Sequence, residues 1–376
     1  MRIAAVGDQH LGRSYYARTT ADGVNQRQAD FENTFARTVD AILAADVEAV
    51  LLLGDLFDHP RPTFRSYRIA QAGLRRLTDA GLAVVAITGN HDTPRLPGRG
   101  SPYSPLADAL GRIHFVYRLD YERIDLPGLA VHAIPQTLTS AQARDCLERA
   151  RANTVLDRTN VLITHPRLLQ VPTTVTDINE IELDQRDLRD IDLVVLGHFH
   201  NFTTISERMW YAGAPDSFSF ADEPQRPKGF VIVDTDTGTA THQVVAPSRP
   251  LVTAAPLLGL GLDSAQLTDA IVTRLLAAPP GAVVRVFCEQ VEFESFRLVD
   301  QRVLAAAAAE RDLLHYRLET SLDGSVARAE PLPRLDALPA QWRKFVAEQE
   351  LAGFDRSAIV MRGQTYIDSA IEASLP

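Results

Sequence analysis

The feature that most constrains the fold is a repeated pattern in which a short apolar run, of strand length, ends in side chains able to bind a metal. The pattern occurs at five places, in most of them with a glycine first: Gly7-Asp8-Gln9-His10, Gly54-Asp55, Gly89-Asn90-His91-Asp92, His165 and Gly197-His198-Phe199-His200. Ligands of open α/β sheets bind beyond the carboxyl ends of the strands. The five segments are therefore predicted to meet at one place.

The spacing of apolar residues predicts alternating strands and helices, which is typical of βαβ units with helices covering a sheet. Strands are predicted at 3–6, 49–53, 83–87, 161–163, 193–196 and 230–233. Helices are predicted at 30–45, where Phe31, Phe35 and Val39 share a face, and around Ala70, Leu74 and Leu77. This first domain is predicted to cover residues 1–248.

A smaller unit is predicted at 249–330, followed by a tail at 331–376. In the smaller unit, strands are predicted at 251–258, 282–291 and 313–318, and helices at 264–277 and 298–310. The tail opens with a proline-rich linker at 330–334. Two amphipathic helices follow, one presenting Leu338, Trp342, Phe345 and Val346, the other Ile367, Ala370 and Ile371.

Composition limits the classes of function that remain. The chain has 376 residues, 45% of them hydrophobic, and a formal net charge of −10. Cys146 and Cys288 are its two cysteines, which excludes a disulfide framework and favours a reducing cytoplasm. No signal peptide or membrane span is expected. Because an acidic chain repels polyanions, a nucleic-acid function needs a local source of positive charge.

Each metal-binding segment is weak evidence by itself. An aspartate after a strand usually stabilises a turn, and an isolated histidine is usually a satisfied surface or core residue. Packing or turn chemistry would have to produce five such segments independently, and at five strand ends. A shared metal centre explains all five at once, so the functional interpretation is favoured.

At these positions the sequence resembles the calcineurin-like metallophosphoesterase superfamily, and within it the SbcD-type DNA-repair nuclease subunits. The segments that carry the narrower resemblance are Gly54-Asp55-Leu56-Phe57-Asp58 with Arg61-Pro62, Gly197-His198-Phe199-His200, Tyr211-Ala212-Gly213 with Ser219-Phe220, and Lys228-Gly229-Phe230. The resemblance implies an α/β fold: a β-sandwich flanked by helices, a small α+β capping domain and a helical C-terminal tail. Pro166 stands where this family leads us to expect glycine, and Ala214 where it leads us to expect serine.

The resemblance also implies a set of site residues. Asp8, His10 and His200 would hold one divalent ion, Asn90, His165 and His198 a second, and Asp55 would bridge the two; the implied metal is manganese. Two ions about 3.5–4 Å apart suit an in-line phosphoryl displacement. His91 is expected to donate a proton to the leaving oxygen or to stabilise the transition state, with Asp92 orienting it.

DNA is the implied substrate, and arginines that follow the metal motifs would contact its phosphates. They are Arg13 and Arg18 after the first motif, Arg61, Arg65 and Arg68 after the second, and Arg95 and Arg99 after the third. A scatter of solvated arginines is the alternative. His59 lies in the same loops and is as readily a surface residue as a substrate contact.

The resemblance implies two protein partners. One is an SbcC-type ABC ATPase whose coiled coil receives the C-terminal tail; the alternative is that the tail packs on its own domain. The other is a second copy, in a homodimer formed through the first domain. The implied location is the cytoplasm, in association with the nucleoid.

Two other functions use the same motifs. A phosphodiesterase or phosphatase acting on nucleotides or phosphoproteins would need the same metals, although Leu56-Phe57-Asp58-His59 and Asp92 differ from the pattern of protein phosphatases. A non-catalytic scaffold is disfavoured because every expected ligand is present. The sequence leaves open exonuclease against endonuclease action, strand polarity and the metal used in the cell.

Overall fold

The computed structural model describes residues 1–171, 180–220, 226–322, 342, 345–347 and 355–373. Its first 248 residues contain two six-stranded sheets packed face to face, with helices on both outer faces. The α/β fold with a β-sandwich flanked by helices is therefore confirmed.

The first sheet has the order β14-β13-β1-β2-β3-β4, with β1 to β4 mutually parallel and β13 and β14 added antiparallel. Its strands are β1 (Arg2–Val6), β2 (Ala49–Leu53), β3 (Ala83–Ile87), β4 (Ile113–Val116), β13 (Gly229–Asp234) and β14 (Thr239–Val244). Every residue of β2 is buried, as expected for a parallel strand covered on both faces.

The second sheet has the order β11-β12-β10-β7-β6-β5, with β6, β7, β10 and β12 parallel. Its strands are β5 (Glu122–Leu126), β6 (Leu129–Ala133), β7 (Thr159–Thr164), β10 (Leu193–Leu196), β11 (Thr203–Ser206) and β12 (Met209–Tyr211). Between them the chain forms the short parallel pair β8 (Arg167–Leu168) and β9 (Glu182–Leu183).

Three hydrophobic layers hold the sandwich together. Ile3, Leu51, Val131 and Val195 belong to the layer between the sheets. Outside the first sheet lie α1 (Gln26–Ala44), α2 (Phe64–Asp79) and α3 (Tyr103–Ala109), and outside the second lies α4 (Ser140–Ala152).

The second unit is built on a parallel four-stranded sheet in which β17 pairs with β15 and β16 on one side and β18 on the other. Its strands are β15 (Leu251–Thr253), β16 (Leu257–Leu258), β17 (Val283–Val291) and β18 (His315–Leu322). Its helices are α5 (Ser264–Ala277), α6 (Phe293–Arg297) and α7 (Gln301–Glu310). The domain boundaries at 248 and 330 stay predictions.

Two sequence predictions for this unit are wrong in detail. The single strand predicted at 251–258 is two strands, because the chain leaves β17 after the Ala254 amide, which donates to the Arg285 carbonyl at 2.8 Å, and Pro256 has no amide hydrogen for the ladder. The helix predicted at 298–310 corresponds to α7 and begins only at Gln301, because Asp300 caps it through the amides of Arg302 and Val303; the separate helix α6 precedes the predicted bounds.

The tail is described in part. α8 (Arg356–Ala373) contains the predicted second helix, and the Trp342 ring contacts it, with the indole nitrogen donating to the Val360 carbonyl at 3.2 Å. The predicted linker at 330–334 and Leu338 lie outside the described residues. In the described part of the chain, no helix combines the length and apolar character needed to cross a membrane.

Candidate metal centre

The predicted segments meet at the carboxyl ends of β1, β2, β3, β7 and β10, where the two sheets face each other. Asp55 follows β2 of the first sheet, and its Oδ2 lies 3.3 Å from Nε2 of His165, which follows β7 of the second. Asn90 follows β3, and its Oδ1 lies 3.1 Å from Nδ1 of His198, which follows β10. The sandwich therefore brings together side chains more than a hundred positions apart.

Three clusters of three side chains have donor atoms within 4.8 Å of one another: Asp8 with His10 and His200, Asp8 with Asp55 and His165, and His10 with Asp55 and His91. Among the described residues, Asp8, His10 and Asp55 each belong to two clusters, which for Asp55 agrees with a carboxylate between two ions. Asn90 Oδ1 also lies 3.1 Å from His165 Nε2. The arrangement accommodates the predicted ligand sets, and the assignment of each ligand to an ion stays a prediction.

His91, the predicted proton donor, lies beside Asp55 and belongs to a cluster of possible metal ligands. Its backbone amide donates to Asp55 Oδ1 at 2.9 Å, and its ring centroid lies 4.6 Å from that of His10. Its Nδ1 lies 3.2 Å from the Asp58 carbonyl. The ring is partly exposed, so it is accessible to a substrate while it remains beside the ligands.

The electrostatics of the cluster favour a cation. Asp8 and Asp55 are fully buried. Burial opposes ionisation of Asp55, yet the neighbouring His165 holds the pKa of that carboxyl well below its usual range. Burial likewise opposes protonation of His165, but Asp55 and Asp8 raise its pKa to about 9. The buried carboxylates thus concentrate negative charge at the position where the imidazoles converge.

The donor atoms also fit metal ions chemically. His10 Nε2 is buried and has no hydrogen-bond partner among the described residues, although it lies 3.6 Å from Asp55 Oδ2. A buried polar atom without a partner is costly unless it binds an ion or water. Burial lowers the pKa of His10, which favours the neutral imidazole that metals require.

Backbone strain is concentrated at the same residues. Asp8, His10, Asp55 and His198 are non-glycine residues with φ of 59°, 45°, 53° and 93°. Such conformations cost about 1–3 kcal/mol each and persist where the surrounding structure enforces them, commonly at functional sites. Four of them in one cluster indicate that the loops are shaped for the site.

Two glycines are required by close approach of the loops. A Cβ at Gly89 would overlap the Asp55 carboxylate, and one at Gly197 would lie 2.6 Å from Nδ1 of His165. From the sequence alone, these glycines read as ordinary turn residues. In the structure they allow the third and fifth segments to reach the ligands of the others.

Each of three histidines has an acceptor for its second ring nitrogen, and the sequence analysis assigned none of these roles. Asp58 Oδ1 lies 2.9 Å from His10 Nδ1, the Leu53 carbonyl 2.6 Å from His165 Nδ1, and Glu180 Oε1 3.2 Å from His198 Nε2. Acceptors of this kind fix the tautomer of a metal-binding imidazole. Asp58 lay inside a recognised motif, whereas no sequence pattern pointed to Glu180.

The contacts of Asp92 give it a role in the loops. Its carboxylate accepts from the Leu56 amide at 3.0 Å and the Gly89 amide at 2.7 Å, so it joins the second and third segments. Burial, with Asp55 nearby, raises the pKa of Asp92 to about 7. The acceptor described for the His91 ring is the Asp58 carbonyl, and the orientation of His91 by Asp92 stays a prediction.

Phe218 packs against the two histidines of the cluster formed by Asp8, His10 and His200. Its ring centroid lies 4.7 Å from that of His10 and 4.3 Å from that of His200. Ala214 packs beside it with Phe31, so the alanine that departs from the family pattern extends this apolar contact. The other departure, Pro166, supplies a carbonyl that accepts from the Tyr211 hydroxyl at 2.9 Å.

The predicted DNA-contacting arginines differ in their surroundings. Arg61, Arg95 and Arg99 line a cavity of about 920 Å³ that also includes Asn90 and His91. Arg13 donates to Asp58 Oδ1 at 2.9 Å and so supports the His10 contact from within the site.

Of the three remaining arginines, Arg68 is exposed on α2, and Arg65 and Arg18 pair with carboxylates of the protein. Arg65 forms a bidentate ion pair with Glu32, with a shortest N–O distance of 2.7 Å. Arg18 contacts Asp312 of the second unit at 2.8 Å. These two contacts join elements of the protein to each other, and they satisfy charges that a phosphate would otherwise attract.

The sequence of residues 1–202 matches the model of the calcineurin-like phosphoesterase family. This chain belongs to that family. The predicted enzyme class, a metal-dependent hydrolase of phosphoesters, is confirmed by the membership, as is the use of divalent metals.

Several curated relatives carry one name, DNA double-strand break repair protein Mre11. The protein of Methanopyrus kandleri is 26% identical over 63% of this chain and 55% of its own length. That of Haloferax volcanii is 30% identical over 62% and 49%, and that of Methanocaldococcus jannaschii 26% identical over 62% and 62%. The chain thus spans about half to three fifths of the length of these relatives.

Similarity to solved structures is low. A dimetal phosphatase from Danio rerio matches 61% of this chain and 91% of its own, with 12% identity and a TM-score of 0.36. A calcineurin-like phosphoesterase from Bacillus subtilis matches 65% and 88%, with 13% identity and a TM-score of 0.33.

Proposed function

We propose that this protein is a manganese-dependent DNA nuclease, the nuclease subunit of an SbcCD-like double-strand-break repair complex. The observation that carries the proposal is the position of the arginine-lined cavity, which opens directly beside Asn90 and His91 of the metal centre. The repair-protein relatives support the same reading.

The cavity answers the objection raised by the net charge of −10. Arg61, Arg95 and Arg99 provide positive charge at a surface where Asn90 and His91 are accessible, so a phosphate chain can be attracted locally. The rest of the acidic surface repels DNA, which favours binding in this orientation.

The residues of the metal centre have different proposed roles. Asp8, His10 and His200 would hold one divalent ion, Asn90, His165 and His198 the other, with Asp55 between them. Such a pair stabilises charge on the attacking and leaving oxygens of a phosphodiester. His91 lies at the boundary between ligands and cavity, where its ring can give a proton to the departing oxygen.

The proposal includes partners and location. An SbcC-type ATPase would bind through the C-terminal tail, and a second copy through the first domain. A cytoplasmic, nucleoid-associated location follows from work on chromosomal DNA.

The deciding experiment is digestion of end-labelled linear duplex DNA with Mn²⁺, with and without the ATPase, beside a small chromogenic phosphodiester. We expect Mn²⁺-dependent cleavage of both, lost in an Asp55→Asn variant. DNA cleavage should fall steeply with added salt because phosphate contacts release counterions, while hydrolysis of the small ester should change little.

The alternative, a phosphodiesterase of nucleotides or other small esters, predicts a different outcome. Hydrolysis of the chromogenic ester with intact DNA at every salt concentration, in the presence of the ATPase as well, would establish that alternative and end the nuclease proposal. Comparing circular with linear DNA in the same assay separates endonuclease from exonuclease action.

A further inference from the structure

Glu180 is a partly buried carboxylate that contacts the metal centre from outside the predicted ligand set. Its Oε1 lies 3.2 Å from Nε2 of His198, and the side chains of the two residues are 10% and 13% exposed. On the other side of the same ring, Nδ1 lies 3.1 Å from Oδ1 of Asn90. The imidazole of His198 is thus held between the candidate ligands and a carboxylate.

The fold fixes Glu180 in this position through the small β8–β9 sheet. Glu180 precedes β9, and β9 pairs with β8, which follows the candidate ligand His165 by one residue. Arg167 of β8 places Nη1 3.7 Å from Glu180 Oε2.

Tyr211 anchors this sheet, because its hydroxyl accepts from the Leu168 amide at 2.9 Å and donates to the Pro166 carbonyl at 2.9 Å. Glu180, His198 and Tyr211 together line a small gap of about 20 Å³.

The chemistry of imidazole gives this contact a consequence. A neutral histidine carries its proton on one ring nitrogen and binds metal through the other, so an acceptor at one nitrogen selects the ligand atom. Glu180 accepts a hydrogen bond from the Nε2–H group of His198, which leaves the lone pair of Nδ1 directed toward Asn90. The backbone of His198 has a φ of 93°, a strained conformation for a residue other than glycine. The hydrogen bond to Glu180 helps to hold the side chain in place on this strained backbone.

We propose that Glu180 is a positioning residue that selects the tautomer of His198 and thereby sets the affinity of the ion held with Asn90 and His165. The proposal rests on the metal centre of the proposed function. It predicts an asymmetric effect, because the imidazole of His10, in the other ligand set, has its own acceptor in Asp58 and does not depend on Glu180.

The chain offers a closely matched control in Glu182. It lies two positions from Glu180 and also pairs with Arg167, but its side chain is 47% exposed, and Arg167 is the partner described for it. Glu180→Gln and Glu182→Gln therefore remove the same charge from the same small sheet and from the same arginine, and they differ in the contact with His198.

The first test is calorimetric titration of the metal-free full-length chain and both variants with Mn²⁺. Loss of such an acceptor typically weakens metal binding about 10- to 100-fold. We expect E180Q to weaken one of two binding events by that factor and leave the other unchanged, and E182Q to match the wild type. Equal affinities in E180Q and E182Q would overturn the proposal.

The second test needs no variant, so it remains decisive if E180Q is unstable. Nitrogen-15 NMR of the wild-type chain loaded with Zn²⁺ reports the tautomer of each histidine. We expect His198 to carry its proton on Nε2, and a proton on Nδ1 with both ions bound would refute the role of Glu180. A wild-type chain that binds no ions would refute the metal centre itself, a distinguishable result.

Discussion

At the scale of single residues, the ligand cluster and the cavity meet at His91. Its amide contacts Asp55, its ring lies beside His10, and the same ring lines the cavity. A group in this position can either transfer a proton or hold a metal, and the two roles differ in what its removal does to metal content.

We expect His91→Asn to reduce DNA cleavage by about 10²- to 10⁴-fold, the usual contribution of a general acid, with both ions retained. Cleavage rates together with metal content by mass spectrometry check this. Loss of both ions from the variant would make His91 a ligand instead.

Arg95 and Arg65 provide a second comparison between residues of the same type. Arg95 lines the cavity, whereas Arg65 is paired with Glu32. We expect Arg95→Gln to weaken DNA binding and to reduce the slope of log affinity against log salt by about one, as for loss of one phosphate contact.

Arg65→Gln should leave both quantities near the wild-type values. Fluorescence anisotropy with labelled DNA and chelator, over a range of salt concentrations, measures them. Equal weakening by the two substitutions would mean that DNA contacts the α1–α2 surface as well as the cavity, against the predicted separation of the two arginines.

At the scale of secondary structure, every strand predicted for the two large sheets lies inside a sheet, and none lies at an edge. β2, β3 and β10 match their predicted bounds, because a strand buried on both faces is apolar throughout. The edge strands β5, β11 and β14 were missed, since their exposed positions carry polar side chains. β4 at an edge and the buried internal strands β6 and β12, which are only three to five residues long, were missed too.

β6 contains a buried histidine, His132, whose hydrogen-bond partners come from other parts of the chain. His132 is fully buried, with Nδ1 2.9 Å from the Tyr121 hydroxyl and Nε2 3.1 Å from Asn160 Oδ1. Burial lowers the pKa of His132. Below the unfolded-state pKa of about 6.5, the unfolded chain therefore binds a proton that the folded chain does not.

It follows that this residue makes the free energy of unfolding decrease as pH falls below about 6.5, down to the folded-state pKa. We expect His132→Gln to have a shallower dependence between pH 5 and 7 than the wild type. Urea denaturation of the metal-free protein at several pH values tests this. Parallel curves for the two proteins would show that His132 does not titrate differently on folding.

At the scale of the whole molecule, the C-terminal tail is the proposed docking surface for the ATPase partner. Trp342 contacts α8 and Val346 is buried, so part of the apolar face predicted for the first tail helix is covered. Phe345, on the same predicted face, is 55% exposed. An exposed aromatic side chain is a suitable contact for a partner helix.

We expect deletion of residues 335–376 to abolish association with the ATPase while Mn²⁺-dependent hydrolysis of simple esters continues, and Phe345→Ala to weaken association with the tail in place. Size-exclusion chromatography with the ATPase measures both. A complex that forms undiminished after the deletion would place the docking surface elsewhere.

The residue order of this chain was enough to predict the α/β fold, the central strands and the side chains that meet at the metal centre. The reason is that burial on both faces and catalysis at strand ends leave local patterns, such as apolar runs that end in Gly-Asp or Gly-Asn-His. The acceptors Asp58 and Glu180, the need for glycine at positions 89 and 197, and the separation of Arg95 from Arg65 depend on distances between remote segments. Such distances exist only once the two sheets have packed, so no pattern within any one segment could carry them.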